Sequence, residues 1–483
     1  LLGTGDARGT RELLNTIQGL PTTIPAVLEA QALMKRIEQS GVVRIGVVVP
    51  LTAKSDQTAI HGVGEELLDG IQLATDEYNA DSMPKVNLEV RDSERDAGVA
   101  ARQVSELSAD SQILCILGPV FSNEALAGAE IANRRGMPLL TPTATATGIA
   151  SIGKYIFQAN PDFVTRGRAL AQYASLAKGA HRFAVLAASD SANRATTEAF
   201  MQEVLDLGGQ VADVRYYKPG QTDLRDELAA MRQLGLELSE PIVINFGAKT
   251  QPVDLKKMAS WGVPQRVLDS LVTSNSAATV ESLFGEDGRR LADSMELATQ
   301  RIRAKYDSLA MPVAAFDAIF LPISSSEEIG IVASQLRYFN FQTQLLGNGN
   351  WYEATELEQN RQYANGIIFT TDTYWEELSK QYQQFERQFR VKFSKEPTKN
   401  SMIGFDAMNL LLNVIRQGAT GREAIASALG SSQTLQGIHS KISLGDSRVN
   451  SSLTILQYKN RSIKKIGEID VSQKAIVGAD DQR

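Results

Sequence analysis

The sequence predicts an α/β protein of two doubly wound lobes preceded by a short helical segment. Three observations carry that expectation. From Val42 onward, short apolar strand-like runs alternate with amphipathic helical stretches, with no hairpin signals between them. The alternation resumes after Asn160-Pro161 with about as many units again. The chain has 483 residues, enough for about three domains or lobes at roughly 150 residues each.

Residues 1–40 read as helical. A short amphipathic stretch runs from Arg11 to Ile17, and Pro25 opens a second from Ala26 to Gln39, Pro being suited to the first helical turn. Two short antiparallel helices suit the end of a helical-repeat array, and equally a plain helical extension. Val42 to Pro50 is a β-branched run that reads as a buried parallel strand. Glu65 to Asn79 follows, with Leu67, Ile71, Ala74 and Tyr78 on one helical face. Val86–Val90 and Ile113–Leu117 are strands, Ala97–Ala109 and Asn123–Arg135 are helices, and Pro138-Leu139-Leu140 starts the next strand.

In the second lobe, Phe183–Ala187, Gln210–Tyr217, Phe316–Pro322 and Leu345-Leu346 are strands. Helices over Ala195–Leu207, Leu224–Leu234 and Glu327–Phe339 separate them. Residues 235–312 break the rhythm and read as an insertion with one strand, Ile242–Phe246, a loop at Thr273–Thr279 and a helix near Arg290–Tyr306. Gly366–Thr370 is a strand. Leu378, Tyr382, Phe385, Phe389 and Phe393 mark the core face of a long helix. Gly404–Arg416 and Arg422–Leu429 are helices, and Lys441–Ile469 alternates like hairpin strands.

Composition narrows the function. Apolar residues make up 43% and charged residues 22%, as in ordinary globular proteins. A net charge of −7 argues against a nucleic-acid binder. The single cysteine, Cys115, sits in an apolar strand and reads as a small buried hydrophobe. No apolar run reaches the roughly 18 residues of a membrane-spanning helix. The start, Leu1-Leu2-Gly3, reads as that of a mature or trimmed chain.

Catalytic signatures are scarce. His61, His181 and His439 lie far apart, so no paired-His metal spacing occurs. There is no Gly-x-Ser-x-Gly elbow, and Gly247-Ala248-Lys249-Thr250 lacks the spacing of a phosphate-binding loop. The expectation is therefore no enzyme, no metal and no cofactor.

Ligands of open α/β sheets bind beyond the carboxyl ends of the strands. Those loops here carry small hydroxyl and amide residues. In the first lobe they are Ser122 and Asn123, either of which suits a helix cap, and Thr143 and Thr145 within Thr141–Thr147. In the second they are Asp190 and Asn193, Ser324 and Ser325, and Asn348 and Asn350. Facing each other across a cleft, such loops make a binding site. They make a poor acid–base site, because hydroxyls and amides do not titrate near neutrality.

Six segments stand out when taken in order: Arg44–Thr52, Gly70–Ala74 with Tyr78-Asn79, Gly118-Pro119 with Ser122, Pro138–Thr145, Gly366–Thr371 and Gly404–Met408. Together they resemble the type I periplasmic binding proteins, which include the leucine/isoleucine/valine-binding proteins of ABC transporters. The resemblance spans about residues 42–470. It implies two lobes joined by three crossovers, near Gln158–Pro161, Tyr352–Gly366 and Gly437–Lys441. Lobe 1 is then 42–158 with 366–438, lobe 2 is 159–365 with 439–470, and 471–483 form a tail.

The resemblance also implies a ligand captured between the lobes by hinge closure, delivery to the permease of an ABC importer, and an extracytoplasmic location. In amino-acid-binding members the first lobe holds the ligand carboxylate. The matching positions are Ser122 or Asn123, Thr143 and Thr145. The second lobe departs from that pattern. Ala192-Asn193 stands where a tyrosine is common, and Asn348-Gly349-Asn350 where an acidic residue often fixes the ammonium. A buried ammonium without a carboxylate is costly, so a small polar ligand that is amide-bearing, neutral or larger fits better than a simple amino acid.

A narrower resemblance, carried by Phe316–Pro322, Gln335–Phe339 and Leu345–Trp351, is to the penicillin-binding protein activator-like subfamily. It implies an alternative in which the body is an envelope scaffold whose partner is a penicillin-binding protein.

Overall fold

The computed structural model describes residues 42–52, 58–247, 250–285, 288–302, 309, 311–431 and 434–478. The helical expectation for residues 1–40 lies outside them. Two sheets organise the chain. The first is five-stranded and wholly parallel, in the order β2-β1-β3-β4-β5. Its strands are β1 (Val42–Val49), β2 (Lys85–Asp92), β3 (Ile113–Leu117), β4 (Leu139–Thr141) and β5 (Ile156–Gln158). β1 and β3 are buried almost throughout, which is why both read as unbroken apolar runs rather than alternating ones.

The second lobe begins with β6 (Arg182–Ala188) and β7 (Gln210–Tyr217). A module then intervenes, with β8 (Ile242–Asn245), β9 (Ala277–Thr279) and β10 (Thr299–Arg301). The chain resumes with β11 (Ala318–Leu321), β12 (Gln344–Gly347) and β13 (Ile368–Thr371). The hairpin β14 (Thr434–Gln436) and β15 (Lys441–Ser443) precedes β16 (Ser452–Lys459), β17 (Ser462–Asp470) and β18 (Ala475–Gly478). The large sheet has the order β18-β17-β16-β13-β12-β11-β6-β7. It is parallel from β7 to β13 and antiparallel from β13 to β18.

Pairing moves several sequence expectations. Gly366–Thr370 was expected to open the return to lobe 1. Instead β13 lies between β12 and β16 in the lobe 2 sheet, so the chain crosses after Thr371. The expected tail contains β18, which pairs with β17 and covers its otherwise open edge. Within 235–312, the expected loop at 273–279 holds the end of the helix Gln265–Thr273 and strand β9. The expected long helix is only Gly288–Ser294, followed by β10. This module has its own apolar core, around Phe246, Met258, Leu268 and Val280. Leu378 precedes the helix Lys380–Phe393 and is 89% exposed, because Ser379 caps that helix through Tyr382 N. Phe385 and Phe389 do pack into the lobe 1 core.

Two close helix crossings place the elements that later matter. Helix Thr58–Asp81 packs against Lys399–Arg416. A Cβ on Gly70 would overlap the Ser401 carbonyl oxygen, and one on Gly404 would overlap that of Leu67. In lobe 2, helix Phe163–Gln172 packs against Ser191–Asp206, and a Cβ on Gly167 would overlap the Thr196 carbonyl oxygen. Glycine is required at these positions because backbone meets backbone. At the end of β3, Gly118 is held at φ 107°, a conformation that side-chain-bearing residues avoid, and a Cβ there would overlap the Val48 carbonyl oxygen.

Cys115 is fully buried in β3, and burial pushes its thiol up to about 12. It should resist thiol reagents in the folded protein and react stoichiometrically only in denaturant, as followed by absorbance. Gly404→Ala and Gly70→Ala should each destabilise the fold by about 1–3 kcal/mol through overpacking. In an open helix the same change would stabilise by up to about 1 kcal/mol, so the sign of the shift in urea midpoint tests the crossing.

Candidate functional site

The carboxyl ends of both sheets open onto one cleft of about 580 Å³, a volume that suits a small organic ligand. Loop residues Thr143 and Thr145 after β4 line it from lobe 1, with Lys399, Asn400 and Ile403 from the first turns of the helix Lys399–Arg416. Arg166 and Thr196 line it from the lobe 2 helices, with Asn193, Asn348 and Asn350. The segment Thr370–Thr373 at the end of β13 closes the base, and Phe163, Tyr352 and Trp375 add aromatic surface.

The threonine loop is held from behind. Ser122 Oγ accepts from the amides of Thr145 (3.2 Å) and Ala146 (3.1 Å). Thr143 Oγ1 donates to the Val120 carbonyl at 2.6 Å, and Asn160 Nδ2 donates to Thr143 O at 3.1 Å. The Thr143 hydroxyl proton is thereby spent, and what remains for a ligand is an acceptor.

The lobe 2 wall is an amide relay with a fixed polarity. Asp190 caps the helix Ser191–Asp206 by accepting from Asn193 N. It also accepts from Asn193 Nδ2 (2.7 Å) and Ser324 Oγ (2.7 Å). Burial opposes ionisation of Asp190, but these hydrogen bonds outweigh it and hold the carboxyl below its ordinary range. With its NH₂ committed to Asp190, Asn193 offers its oxygen to Asn348 Nδ2 at 3.1 Å. Asn348 Nδ2 also donates to Ile323 O at 2.9 Å. Two acceptors on one side therefore fix the Asn348 amide, and its Oδ1 is buried without a hydrogen-bond partner. Asn350 Nδ2 donates to the carbonyls of Ile323 and Ser324. Buried Trp351 pins this loop through its indole N–H to Leu321 O, 2.9 Å.

The cleft's charges come from segments far apart in sequence. Arg166 Nη2 pairs with Asp372 Oδ2 at 2.6 Å, and Arg166 Nε donates to Pro161 O. Burial opposes ionisation of Asp372, but Arg166, then Lys399, outweigh it and hold the carboxyl well below the ordinary range. Arg166 and Lys399 against Asp372 leave the described lining with one excess positive charge. Lys399 stands at the first residue of an 18-residue helix, where the helix's own partial charge is also positive. Segment 371–374 is held in place by Tyr374 N donating to His439 O (2.7 Å). The His439 and Ile438 amides are in turn accepted by Asp406 of that helix.

Of the residues expected from sequence, Thr143, Thr145, Asn193, Asn348 and Asn350 line the cleft. Ser122, Asp190 and Ser324 stand behind it as supports for lining residues. Asn123 and Ser325 are exposed and outside the lining. Neither Ser122 nor Asn123 caps its helix; the N-cap is Phe121, which makes no side-chain cap. Asn123 instead accepts from Arg95, which stacks on Phe121 and pairs with buried Glu124. Sequence reasoning missed Arg166, Asp372 and Lys399. The run Thr370-Thr371-Asp372-Thr373 at a strand end was a usable signal. Arg166 and Lys399, in the first turns of two helices, had none. Among the described residues, no group of three or more His, Cys, Asp or Glu is placed to hold a metal ion. No described helix is long and apolar enough to cross a membrane.

A two-sheet α/β body with a polar cleft at the strand ends is the architecture of a binding protein. The family model for periplasmic binding proteins matches residues 42–297 and 323–462, and the chain belongs to that family. Among solved structures, it is similar to an ABC transporter substrate-binding protein from Sphaerobacter thermophilus. The TM-score is 0.57 at 17% identity, covering 89% of this chain and 98% of that one. It is also similar to the leucine-binding protein LivK from Thermotoga maritima, with TM-score 0.51 at 21% identity, covering 91% and 99%. A third is a solute-binding protein of an ABC transporter from Rhodopseudomonas palustris in complex with 3,4-dihydroxybenzoic acid. Its TM-score is 0.52 at 14% identity, covering 92% and 99%. Identities this low show the shared fold. No curated protein matches the chain.

Because its pKa is lowered on folding, Asp372 stabilises the folded state above the ordinary carboxylate range and loses that contribution as pH falls through it. Asp372→Asn should therefore cost about 1–2 kcal/mol at neutral pH. The gap in melting temperature to the parent should be full above about pH 5 and shrink below about pH 4. Melting curves from pH 2.5 to 7 check it; a gap that grows on acidification contradicts the pairing.

Proposed function

We propose that this chain is an extracytoplasmic solute-binding receptor that captures a small polar ligand between its lobes and presents it to the permease of an ABC importer. The observation that carries this reading is the cleft itself. Both lobes contribute polar side chains to one cavity of about 580 Å³, and their supports hold the walls in shape before any ligand arrives. Family membership supports the same reading. In it, the ligand leaves unchanged, so the chain is not an enzyme and needs no cofactor. Closure is a hinge motion at the crossovers after Gln158, after Thr371 and near Ser440–Asn450. Thr143, Thr145, Asn193, Asn348 and Asn350 are the contacts from the sequence expectation, joined by Arg166 and Lys399. One of those relatives is a leucine-binding protein and another holds 3,4-dihydroxybenzoic acid, so this fold serves more than one ligand chemistry.

One observation favours a second reading, an envelope scaffold that docks on a penicillin-binding protein. The module at 242–301 contributes nothing to the cleft lining, and it leaves Val253 and Trp261 each 56% exposed.

A thermal-shift screen of the purified protein separates the two. The set would include amino acids, hydroxy acids, aromatic acids, amides, sugars, peptides and peptidoglycan fragments. A ligand at 100 times its Kd stabilises the fold by about 2.7 kcal/mol, a shift of several degrees. The receptor reading expects one chemical class to produce it. Folded protein that no compound shifts contradicts the receptor and leaves the scaffold.

A further inference from the structure

The cleft's polar groups are mostly committed to one another, and the few that are not define what a ligand must bring. Asn348 Oδ1 is the first. Its orientation follows link by link: the Asp190 carboxylate takes Asn193 NH₂, Asn193 oxygen takes Asn348 NH₂, and Ile323 O holds the same NH₂. Turning the Asn348 amide over would face its oxygen to two acceptors, so the relay must end on an acceptor. That acceptor is buried and unpartnered. An unmet buried acceptor costs about 1–3 kcal/mol, which a ligand hydroxyl or amide N–H would recover.

The second is the charge balance. Asp372 is the only carboxylate lining the cleft among the described residues, and Arg166 already holds it at 2.6 Å. Lys399 is exposed at the rim, on the positive end of its helix. A ligand ammonium would enter a site with two cations and a single, committed carboxylate. A ligand anion would meet the excess positive charge directly.

Resting on the receptor reading, the geometry points to a ligand class: a small organic carboxylate that carries a neutral hydroxyl or amide donor and no ammonium group. Lys399 draws the anion, and Asn348 Oδ1 accepts from the donor. Asn348 thus demands a donor on the ligand, and Lys399, with Arg166 and the committed Asp372, sets specificity against α-amino acids.

Calorimetric titration of the full chain with two matched sets tests it. One set is 2-hydroxy-4-methylpentanoate, leucine, 4-methylpentanoate and 2-hydroxy-4-methylpentanamide. The other is 4-hydroxybenzoate, 4-(aminomethyl)benzoate, benzoate and 4-hydroxybenzamide. In at least one set the hydroxy acid should bind at least tenfold tighter than both the ammonium compound and the neutral amide. Lys399→Gln, an exposed change that spares the fold, should weaken the hydroxy acid at least fivefold and leave the neutral amide unchanged. Asn348→Ala should erase the advantage of the hydroxy acid over the plain acid. If in neither set the hydroxy acid reaches that margin over both its ammonium compound and its neutral amide, the inference is overturned and the receptor reading stands. Silence from all eight compounds also overturns it. The receptor reading falls as well only if the broader thermal-shift set is silent too.

Discussion

Backbone against backbone at three glycines is the constraint on which the cleft depends. Gly70 and Gly404 let two lobe 1 helices meet at carbonyl distance, and Gly167 does the same in lobe 2. These contacts decide where helix ends fall. Lys399 and Asn400 reach the cleft because Gly404 brings their helix down onto Leu67 and Gly70. Arg166 precedes Gly167, and Thr196, whose carbonyl sits on Gly167, lines the same cavity. Close packing is stiff, and a single methyl group would shift an entire wall.

The cleft walls are built economically. Ser122, Asp190, Ser324 and Trp351 spend their hydrogen bonds on holding loops, and those networks leave over the lone pairs of Thr143 and the buried Asn348 oxygen, to which Lys399 adds its charge. Preformed walls reduce the ordering cost of binding. In the proposed receptor, hinge closure would then add contacts without first building them.

Much of the fold was legible because local chemistry and global packing agree. Ala97–Ala109 starts where Asp96 caps it, and β1 reads as buried because it is covered on both faces. The glycines of Gly70–Ala74 and Gly404–Met408 were visible as family-like segments, and the helix crossing gives their physical reason. Strand-end loops led to Thr143, Asn193 and Asn348, since loops after parallel strands border the cleft, although only some of their side chains face it. Ser122 was misjudged because sequence shows a hydroxyl but not that two amides already claim it. Arg166 and Asp372 were missed because the pair joins positions 206 residues apart. The end of lobe 2 was misplaced because nothing local says that β13 has a neighbour as late as β16. In the insertion, short segments with weak periodicity left loop, helix and strand indistinguishable.

The proposed receptor holds its ligand between the lobes and is drawn closed by it. Fluorescence energy transfer between one dye on helix Ala97–Ala109 and one on helix Arg225–Ser239 measures that most directly, titrated with a compound that stabilises the protein. A receptor that closes on its ligand gives a saturable rise in transfer efficiency whose midpoint equals the calorimetric Kd. Saturating ligand with an unchanged inter-lobe distance would contradict it and place the binding site outside the cleft.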